Sequence, residues 1–434
     1  MSIGGKIRFL GFCIRDFIKF KKVERVVSQW RDIEETLSNY RTGWKKVEKS
    51  LQNCLDYAAE NCEFYKSYKG KSLSDFPILT KIDFIENYNK IKNSLFKENE
   101  LHTSLTSGST GTPFKVVQNK GKRNRVLAEL KYFGDIVGYK SHEKMAFYRS
   151  AHPLPIISMF LTNVWQPDTS VLSEKRLKEL FKYQSDALSV FGYASTLGKM
   201  AKDWTSLGFI GSDTVKTVIT ASEILTKDIR VTCSEFWKKA VVVSRYSNME
   251  NGVLAQEIVN QENCFKINWA SYFIEVLKFD SNEPAEDGEL GRIVITDLHN
   301  KAFPMIRYDN GDVGRMIKNN NDFPYFAEIQ GRRIDMIFDV NGTPLSPHVV
   351  TNIMWGVKGN IKQWQFIQEE KTKYRIIYTA DNQKLALEGL QDKLVKLKEV
   401  FGSSAIFEID YVDEVPVLQS GKRKMIVQKY NGGQ

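Results

Sequence analysis

Apolar residues recur at helical spacing from the start of the chain: Ile7, Leu10, Ile14, Phe17 and Ile18, with Lys and Arg between them. This stripe predicts an amphipathic helix. Such a helix either lies on an anionic membrane surface or packs on the protein's own core, and packing on the core is the favoured expectation. Residues 25–100 read as further helices, broken around Pro77 and the stretch Thr80–Ile82. A loop of small polar residues, Thr106–Pro113, leads into the strand-like Phe114-Lys-Val-Val-Gln118, and a helical segment follows from about Arg123 to Val137.

From about residue 140 to 310, short β-branched runs alternate with helical patterns. Examples are Val215–Thr220, Ala240–Val243 and Arg292–Thr296. That alternation predicts α/β layering. Beyond Asp335 the texture changes: strand-like Trp364–Ile367 and Tyr374–Tyr378 precede a helical stretch, Gln383–Phe401, and a further strand, Ala405–Tyr411. The expected organisation is an N-terminal helical segment (1–50), a large α/β domain (51–333) and a small α+β domain (334–434).

Length agrees with two domains, because 434 residues exceed what one core usually supports. The composition, 42% apolar and 12% aromatic, is that of an ordinary globular protein. No apolar run approaches the roughly 18–20 residues that span a bilayer, and Lys6, Arg8, Arg15 and Asp16 interrupt the start in a way no signal peptide shows. The expected location is the cytoplasm, at the inner membrane face if the first helix lies on lipid. Five cysteines without a C-x-x-C pair or His/Cys spacing predict free thiols and no zinc site. Basic residues outnumber acidic ones, 62 to 52, which favours anionic partners; no nucleic-acid-binding signature accompanies the excess, so nucleic acid is not expected.

Five strings carry candidate chemistry. Thr106-Ser-Gly-Ser-Thr-Gly-Thr-Pro113 combines two glycines, whose backbone turns tightly, with hydroxyls on Thr106, Ser107, Ser109 and Thr110; exposed N–H groups there can form an anion-binding concavity. No G-K-[ST] ends it, so it is not a Walker A loop, and alone it reads equally as a linker. Tyr246-Ser-Asn-Met-Glu250 follows a buried-looking strand. It offers an aromatic able to stack on a purine and a carboxylate able to hold Mg²⁺. Arg307-Tyr-Asp-Asn-Gly-Asp-Val-Gly314 reads as a polar turn, in which Asp312 has two oxygens for the two hydroxyls of a ribose. Gly331-Arg-Arg-Ile-Asp335 lies at the expected domain boundary, and Ser420-Gly-Lys422 on a loop near the C-terminus.

In order and spacing these strings resemble the adenylate-forming superfamily. The resemblance is strongest to phenylacetate–CoA ligase-like proteins and, within them, to the branch of capsular polysaccharide gene clusters. Asp75-Phe-Pro-Ile-Leu-Thr-Lys81, Phe191-Gly-Tyr-Ala-Ser-Thr-Leu197 and Ile219-Thr-Ala-Ser-Glu223 support it, and it covers roughly residues 50–430. The resemblance implies an AMP-forming ligase that uses ATP and Mg²⁺ to activate a carboxylate and pass the acyl group to an amine, hydroxyl or thiol. A coenzyme A ligase and a nucleotide-binding scaffold without catalysis are the alternative readings. By the same resemblance Thr106, Ser107, Gly108, Ser109, Thr110 and Gly111 wrap the β- and γ-phosphates. Tyr246 stacks near adenine, Glu250 reaches Mg²⁺, Asp312 and Arg332 bind the ribose, and Lys422 is the catalytic lysine. Tyr148, Arg149, His152, Tyr193 and Ala221 are the expected substrate-pocket residues. Three positions depart from the family pattern: Ser247 replaces a usual Gly, Met249 a usual Ser, Thr or Arg, and Ile334 a charged hinge residue.

Overall fold

The computed structural model describes residues 1–106, 114–148, 155–169, 172–319, 321–332, 337–342, 344–345, 350, 353–354, 357–358, 361–416 and 425–430. They form two compact units, one of Met1–Ser222 with Cys233–Ile329, the other of Glu223–Thr232 with Gln330–Gln434.

In the first unit, β1 (His102–Thr106) and β2 (Phe114–Gln118) pair antiparallel as a hairpin, with Thr106 opposite Phe114. The hydroxyl- and glycine-rich string thus joins two paired strands. Next come β3 (Met145–Tyr148), β4 (Val164–Trp165), β5 (Ser189–Tyr193), β6 (Thr217–Ala221) and β7 (Val241–Asn248). They are followed by β8 (Gly252–Ile258), β9 (Gln261–Ile267), β10 (Tyr272–Leu277), β11 (Leu290–Asp297), β12 (Tyr308–Asn319) and β13 (Asp322–Arg332). β3 to β13 make one sheet in the order β10-β11-β12-β13-β9-β8-β7-β6-β5-β3-β4.

The sheet has two textures that meet at β7. From β4 to β7 all neighbours are parallel. Parallel strands are covered on both faces, which is why β6 is buried at every residue of Thr-Val-Ile-Thr-Ala. From β7 through β9 to β13 the pairing is antiparallel. Helices Val26–Ser38 and Lys120–Asp135 pack on this half through Val26, Ile33, Leu37, Ala128 and Phe133, against Trp269, Tyr272 and Ile293.

The N-terminal helix, Ile3–Lys19, corrects one expectation. Ile7, Leu10, Ile14, Phe17 and Ile18 do not pack on the core; all are exposed. The helix docks through its other side. Phe12 lies 5.0 Å from the His142 ring, Phe9 lies 6.3 Å from Trp30, and the buried Asp16 accepts hydrogen bonds from the N–H groups of Val26 (2.9 Å) and Val27 (3.0 Å).

The second unit contains a short pair, β14 (Ile337–Phe338) with β15 (Pro344–Leu345), and a four-stranded sheet. That sheet comprises β16 (Ile361–Gln368), β17 (Lys373–Ala380), β18 (Ile406–Tyr411) and β19 (Ile426–Gln428), in the order β18-β17-β16-β19. Helix Gln383–Phe401 buries Ala386, Leu390, Leu397 and Phe401 against Phe366, Tyr374 and Ile376. Asn382 caps its start by accepting the N–H of Leu385, as N-cap Asn side chains do. All five cysteines are free thiols.

Candidate nucleotide site

Tyr246 lies near the end of β7, and the chain reverses through Met249, Glu250 and Asn251 into β8. Asn248 Oδ1 accepts the N–H of Asn251 at 2.8 Å, so a local side-chain bond closes the turn. Gly252 follows at φ +138°, a backbone conformation that L side chains rarely adopt. A Cβ there would also come within 2.5 Å of Glu129 Oε2 and 2.7 Å of the Tyr272 hydroxyl. Gly252 is thus fixed twice, by conformation and by space. Ser247, in place of the usual Gly, is not among the residues with positive φ, so its position needs no glycine. Met249 is 53% exposed, outside any buried polar contact.

Glu250 is buried, and its carbonyl accepts a hydrogen bond from Gln118 Nε2 at 3.1 Å. Gln118 ends the β1–β2 hairpin, so the stem of the hydroxyl-rich loop is tied to the Glu250 turn. Gln118 Oε1 is buried and has no hydrogen-bond partner among the described residues. Hard divalent cations prefer oxygen donors, and the Glu250 carboxylate is one such donor; among the described residues no group of three or more His, Cys, Asp or Glu side chains that could hold a metal ion comes together.

The string Arg307–Gly314, expected to be a turn, runs into strand β12. Opposite β11, Arg292 faces Val313 but Val294 faces Asp309, so Asn310, Gly311 and Asp312 oppose the single residue Ile293. This is a bulge, which pushes residues out of the ladder and re-aims their side chains. Polar Asp/Asn/Gly sequences serve turns and bulges alike, which is why the string misled. Gly311 supplies φ +81° at the bulge.

The bulge brings Asp312 to Tyr246. The phenol donates to Asp312 Oδ2 at 2.6 Å, and Asn310 Nδ2 donates to both the phenol oxygen and Asp312 Oδ2 at 2.7 Å. Burial, and then the neighbouring Asp312 charge, push the Tyr246 phenol well above its ordinary range, so it stays a donor. Four strand spacings separate β7 from β12. At about 4.8 Å each, a flat sheet would hold them roughly 19 Å apart, beyond the reach of a tyrosine. The antiparallel half must therefore curl, and the contact of Tyr246 with Phe326 of β13 (6.3 Å, edge-on) lies inside that curl.

Behind the Glu250 turn is a buried ionic cluster that sequence reading did not find. Lys122 Nζ lies 2.7 Å from Asp297 Oδ2 with both side chains fully buried, and it donates to the Tyr272 hydroxyl at 3.0 Å. Tyr272 donates to Glu129 and to the Asn251 carbonyl (2.9 Å), and Glu129 Oε2 accepts the N–H of Val253. The cluster thus grips the backbone on both sides of Gly252. Burial raises the Glu129 carboxyl, with Lys122 opposing the shift. Arg307, just before the bulge, holds an unusual φ of +50°. It is clamped by Glu275 at 2.9 and 3.1 Å and by the carbonyls of Ser74 and Phe76. The Asp75–Lys81 string is thereby fastened to β12, where Leu79 bridges Tyr308.

The expected pocket residues divide. Tyr193, Ala221 and Arg245 are register neighbours at the C-terminal ends of β5, β6 and β7, the edge where ligands bind in parallel α/β sheets. Ser222 follows at φ +67°, strained for a residue other than glycine. Tyr148 is a core residue: it is fully buried, and its hydroxyl donates to the Leu180 carbonyl at 2.9 Å. Arg245, not anticipated, is buried and held by Gln256 at 2.7 Å, with Nη2 unpartnered among the described residues. Burial lowers its guanidinium to about 10. Ser107 to Gly111, Arg149, His152, Ile334 and Lys422 lie outside the described residues, as do the side chains of Thr106 and Arg332.

Comparison with known proteins agrees with this architecture. Residues 337–429 match the family described as the CapK C-terminal domain. Protein CapK of Staphylococcus aureus is 23% identical over 413 residues, covering 87% of each chain. The phenylacetate-coenzyme A ligase of Thermus thermophilus is 21% identical over 355 residues, covering 74% of this chain and 77% of its own. Among solved structures, a 2-hydroxyisobutyryl-CoA ligase in the postadenylation state, in complex with R3-HIB-AMP, superposes with a TM-score of 0.72 at 13% identity over 90% of each chain. An anthranilate CoA ligase in complex with anthranoyl-AMP gives 0.54 at 13% identity, over 76% of this chain and 67% of that one. The chain therefore has the fold of the adenylate-forming ligases, with a large α/β unit and a smaller α+β unit, and its sequence is similar to that of a phenylacetate-coenzyme A ligase.

Proposed function

We propose that the chain is an ATP-dependent, AMP-forming ligase that converts a carboxylate to an acyl-adenylate and transfers the acyl group. The observation carrying this reading is the meeting of Tyr246 and Asp312 through Asn310, on an element whose turn is tied by Gln118 to the stem of the hydroxyl-rich loop. Asp312, held on a bulge, takes the ribose hydroxyls with Arg332, and Tyr246 flanks the adenine. Thr106, Ser107, Gly108, Ser109, Thr110 and Gly111 cradle the β- and γ-phosphates. Glu250 would hold Mg²⁺, which supplies charge neutralisation at the phosphates when bound.

The chemistry asks for little besides positioning and charge. A carboxylate oxygen attacks the α-phosphorus, and the bond to pyrophosphate breaks. The two anions meet only if cations offset the charge building on the phosphate oxygens. Lys422 is assigned that cation. Tyr193 and Ala221, at the strand ends, together with Arg149 and His152, line the acyl pocket.

The acceptor is an amine or hydroxyl on a sugar, or coenzyme A. One relative is a phenylacetate-coenzyme A ligase, which supports coenzyme A; the other carries the CapK name, which names no acceptor. Surface polysaccharide synthesis is the corresponding role. The protein would work in the cytoplasm, with peripheral contact at the inner membrane face through its first helix. The test is pyrophosphate release with ATP, Mg²⁺, hydroxylamine and a panel of carboxylates. Carboxylate-dependent release that collapses in Lys422→Ala supports the ligase. Absence of release with every acid of a broad panel favours a nucleotide-binding scaffold.

A further inference from the structure

Helix Ile3–Lys19 has two apolar faces, and only one is used by the fold. Phe9 and Phe12 face inward, where Lys131 Nζ sits 4.3 Å over the Phe12 ring and Phe9 and Phe12 flank His142. The outer stripe, Ile3, Ile7, Leu10, Ile14, Phe17 and Ile18, is 53–80% exposed. At 100° per residue these six positions fall within an arc of about 100°, a continuous apolar face.

A second helix extends this face. Ile156–Thr162 exposes Ile156, Ile157, Phe160 and Leu161 at 54–75%. Arg8 joins the two helices: its Nε donates to the Phe160 carbonyl at 3.1 Å, and its guanidinium lies 5.2 Å over the Phe160 ring. Ten large exposed apolar side chains on two touching helices exceed the scattered singles of an ordinary surface.

Charge selects the occupant. Residues 1–22 carry six basic side chains (Lys6, Arg8, Arg15, Lys19, Lys21, Lys22) and one acidic one, Asp16. Asp16 is buried and occupied with the N–H groups of Val26 and Val27, so it does not offset them. Lys6, Arg15 and Lys19 are exposed, beside the apolar stripe. A second copy docked on the same face would bring two such basic sets together, which repel. The helix is 17 residues long, and no described helix is long and apolar enough to cross a membrane.

We propose that Ile3–Lys19 and Ile156–Thr162 form one membrane-docking surface for anionic lipid, with the outer stripe entering the acyl boundary and the basic residues at headgroup level. This deepens the peripheral location proposed above and is independent of the ligase chemistry. Apolar insertion supplies binding, and each basic residue near an anionic surface strengthens it roughly fivefold.

The test is co-sedimentation of the full chain with vesicles of phosphatidylcholine alone, or mixed with phosphatidylglycerol, at low and high salt. Binding is expected to the anionic mixture, weakened by salt. Ile14→Glu with Phe17→Glu, and separately Phe160→Glu, should each lower binding by about tenfold or more, since a charge replaces an inserted apolar group. Arg15→Gln with Lys19→Gln should lower it less and only on anionic vesicles. All the apolar positions substituted are exposed, and unchanged circular dichroism and melting temperature verify folding. The proposal is overturned if wild type ignores anionic vesicles, or if the apolar variants bind as wild type does. It is equally overturned if light scattering shows a stable dimer that the same variants dissolve. Pyrophosphate release by these proteins without vesicles reads the ligase separately, so either reading can fail alone.

Discussion

The Tyr246 phenol donates to the Asp312 carboxylate at 2.6 Å, joining two strands that lie four places apart in the same sheet. The hydrogen bond does two things: it holds the sheet's curl closed and it aims the carboxylate. Tyr246→Phe keeps the ring and removes the donor. Hydrogen bonds to charged groups contribute about 1.5–3 kcal/mol, so the Michaelis constant for ATP should rise ~10-fold or more, with kcat changing less. Steady-state pyrophosphate release checks this. An unchanged constant for ATP would detach Asp312 from the nucleotide.

Lys422→Ala removes the cation assigned to the reacting phosphate. Loss of one such group typically lowers kcat by about 10²–10³, and nucleotide affinity should fall far less. Single-turnover adenylate formation separates the two effects.

The buried Lys122–Asp297 pair predicts an asymmetry in stability. Lys122→Met leaves the Asp297 charge buried without its cation, held among the described residues only by the N–H groups of His299 and Asn300, and should cost about 3–5 kcal/mol in urea unfolding. Adding Asp297→Leu should recover part of that loss, because an apolar pair replaces a lone charge.

Gly252→Ala should destabilise the Glu250 turn. The residue sits at φ +138°, and its new methyl would press on Glu129 and Tyr272. A cost of about 1–3 kcal/mol is expected from backbone strain alone, read as a lower melting temperature. Pyrophosphate release should fall with it, since Glu250 is two residues away.

The pH dependence of the N-terminal docking follows from His142. Burial, and then the Lys131, Arg15 and Arg8 charges, lower its ring to about 4 from 6.5. Above pH 6.5 neither folded nor unfolded chain binds this proton. Between 6.5 and 4 the unfolded chain binds it and the folded chain does not, so stability falls as pH falls; below 4 the loss levels off. His142→Asn keeps a residue tolerant of φ +68° and removes the titration. Its melting temperature should decline less steeply than that of wild type between pH 6.5 and 4.

Much of the small unit was legible because its periods are strong: helix Gln383–Phe401 and strands β16 and β17 stand where two- and 3.6-residue patterns put them. Tyr246 and Asp312 stood out separately in the sequence, but not as neighbours. Their contact depends on a bulge and a curled sheet, which leave no periodic mark. The polar cluster behind Glu250 was invisible for another reason. Lys122 lies in a short basic run that reads as surface, and its partners Tyr272 and Asp297 are 150 and 175 residues away. The first helix was read correctly as amphipathic but with its sides reversed, because aromatic Phe9 and Phe12 form a second stripe that aliphatic spacing overlooks.

The change of strand direction at β7 bears on the order of folding. β7, β8 and β9 are consecutive hairpin neighbours and can pair as soon as they exist. β13 pairs with β9 only after some sixty further residues, Tyr325 meeting Lys266. Such non-local pairing is slow, because loop closure precedes any reward. A growing chain therefore holds Tyr246 long before it can bring Asp312 to it, and the hydrogen bond between them forms as one of the last events in assembling the sheet.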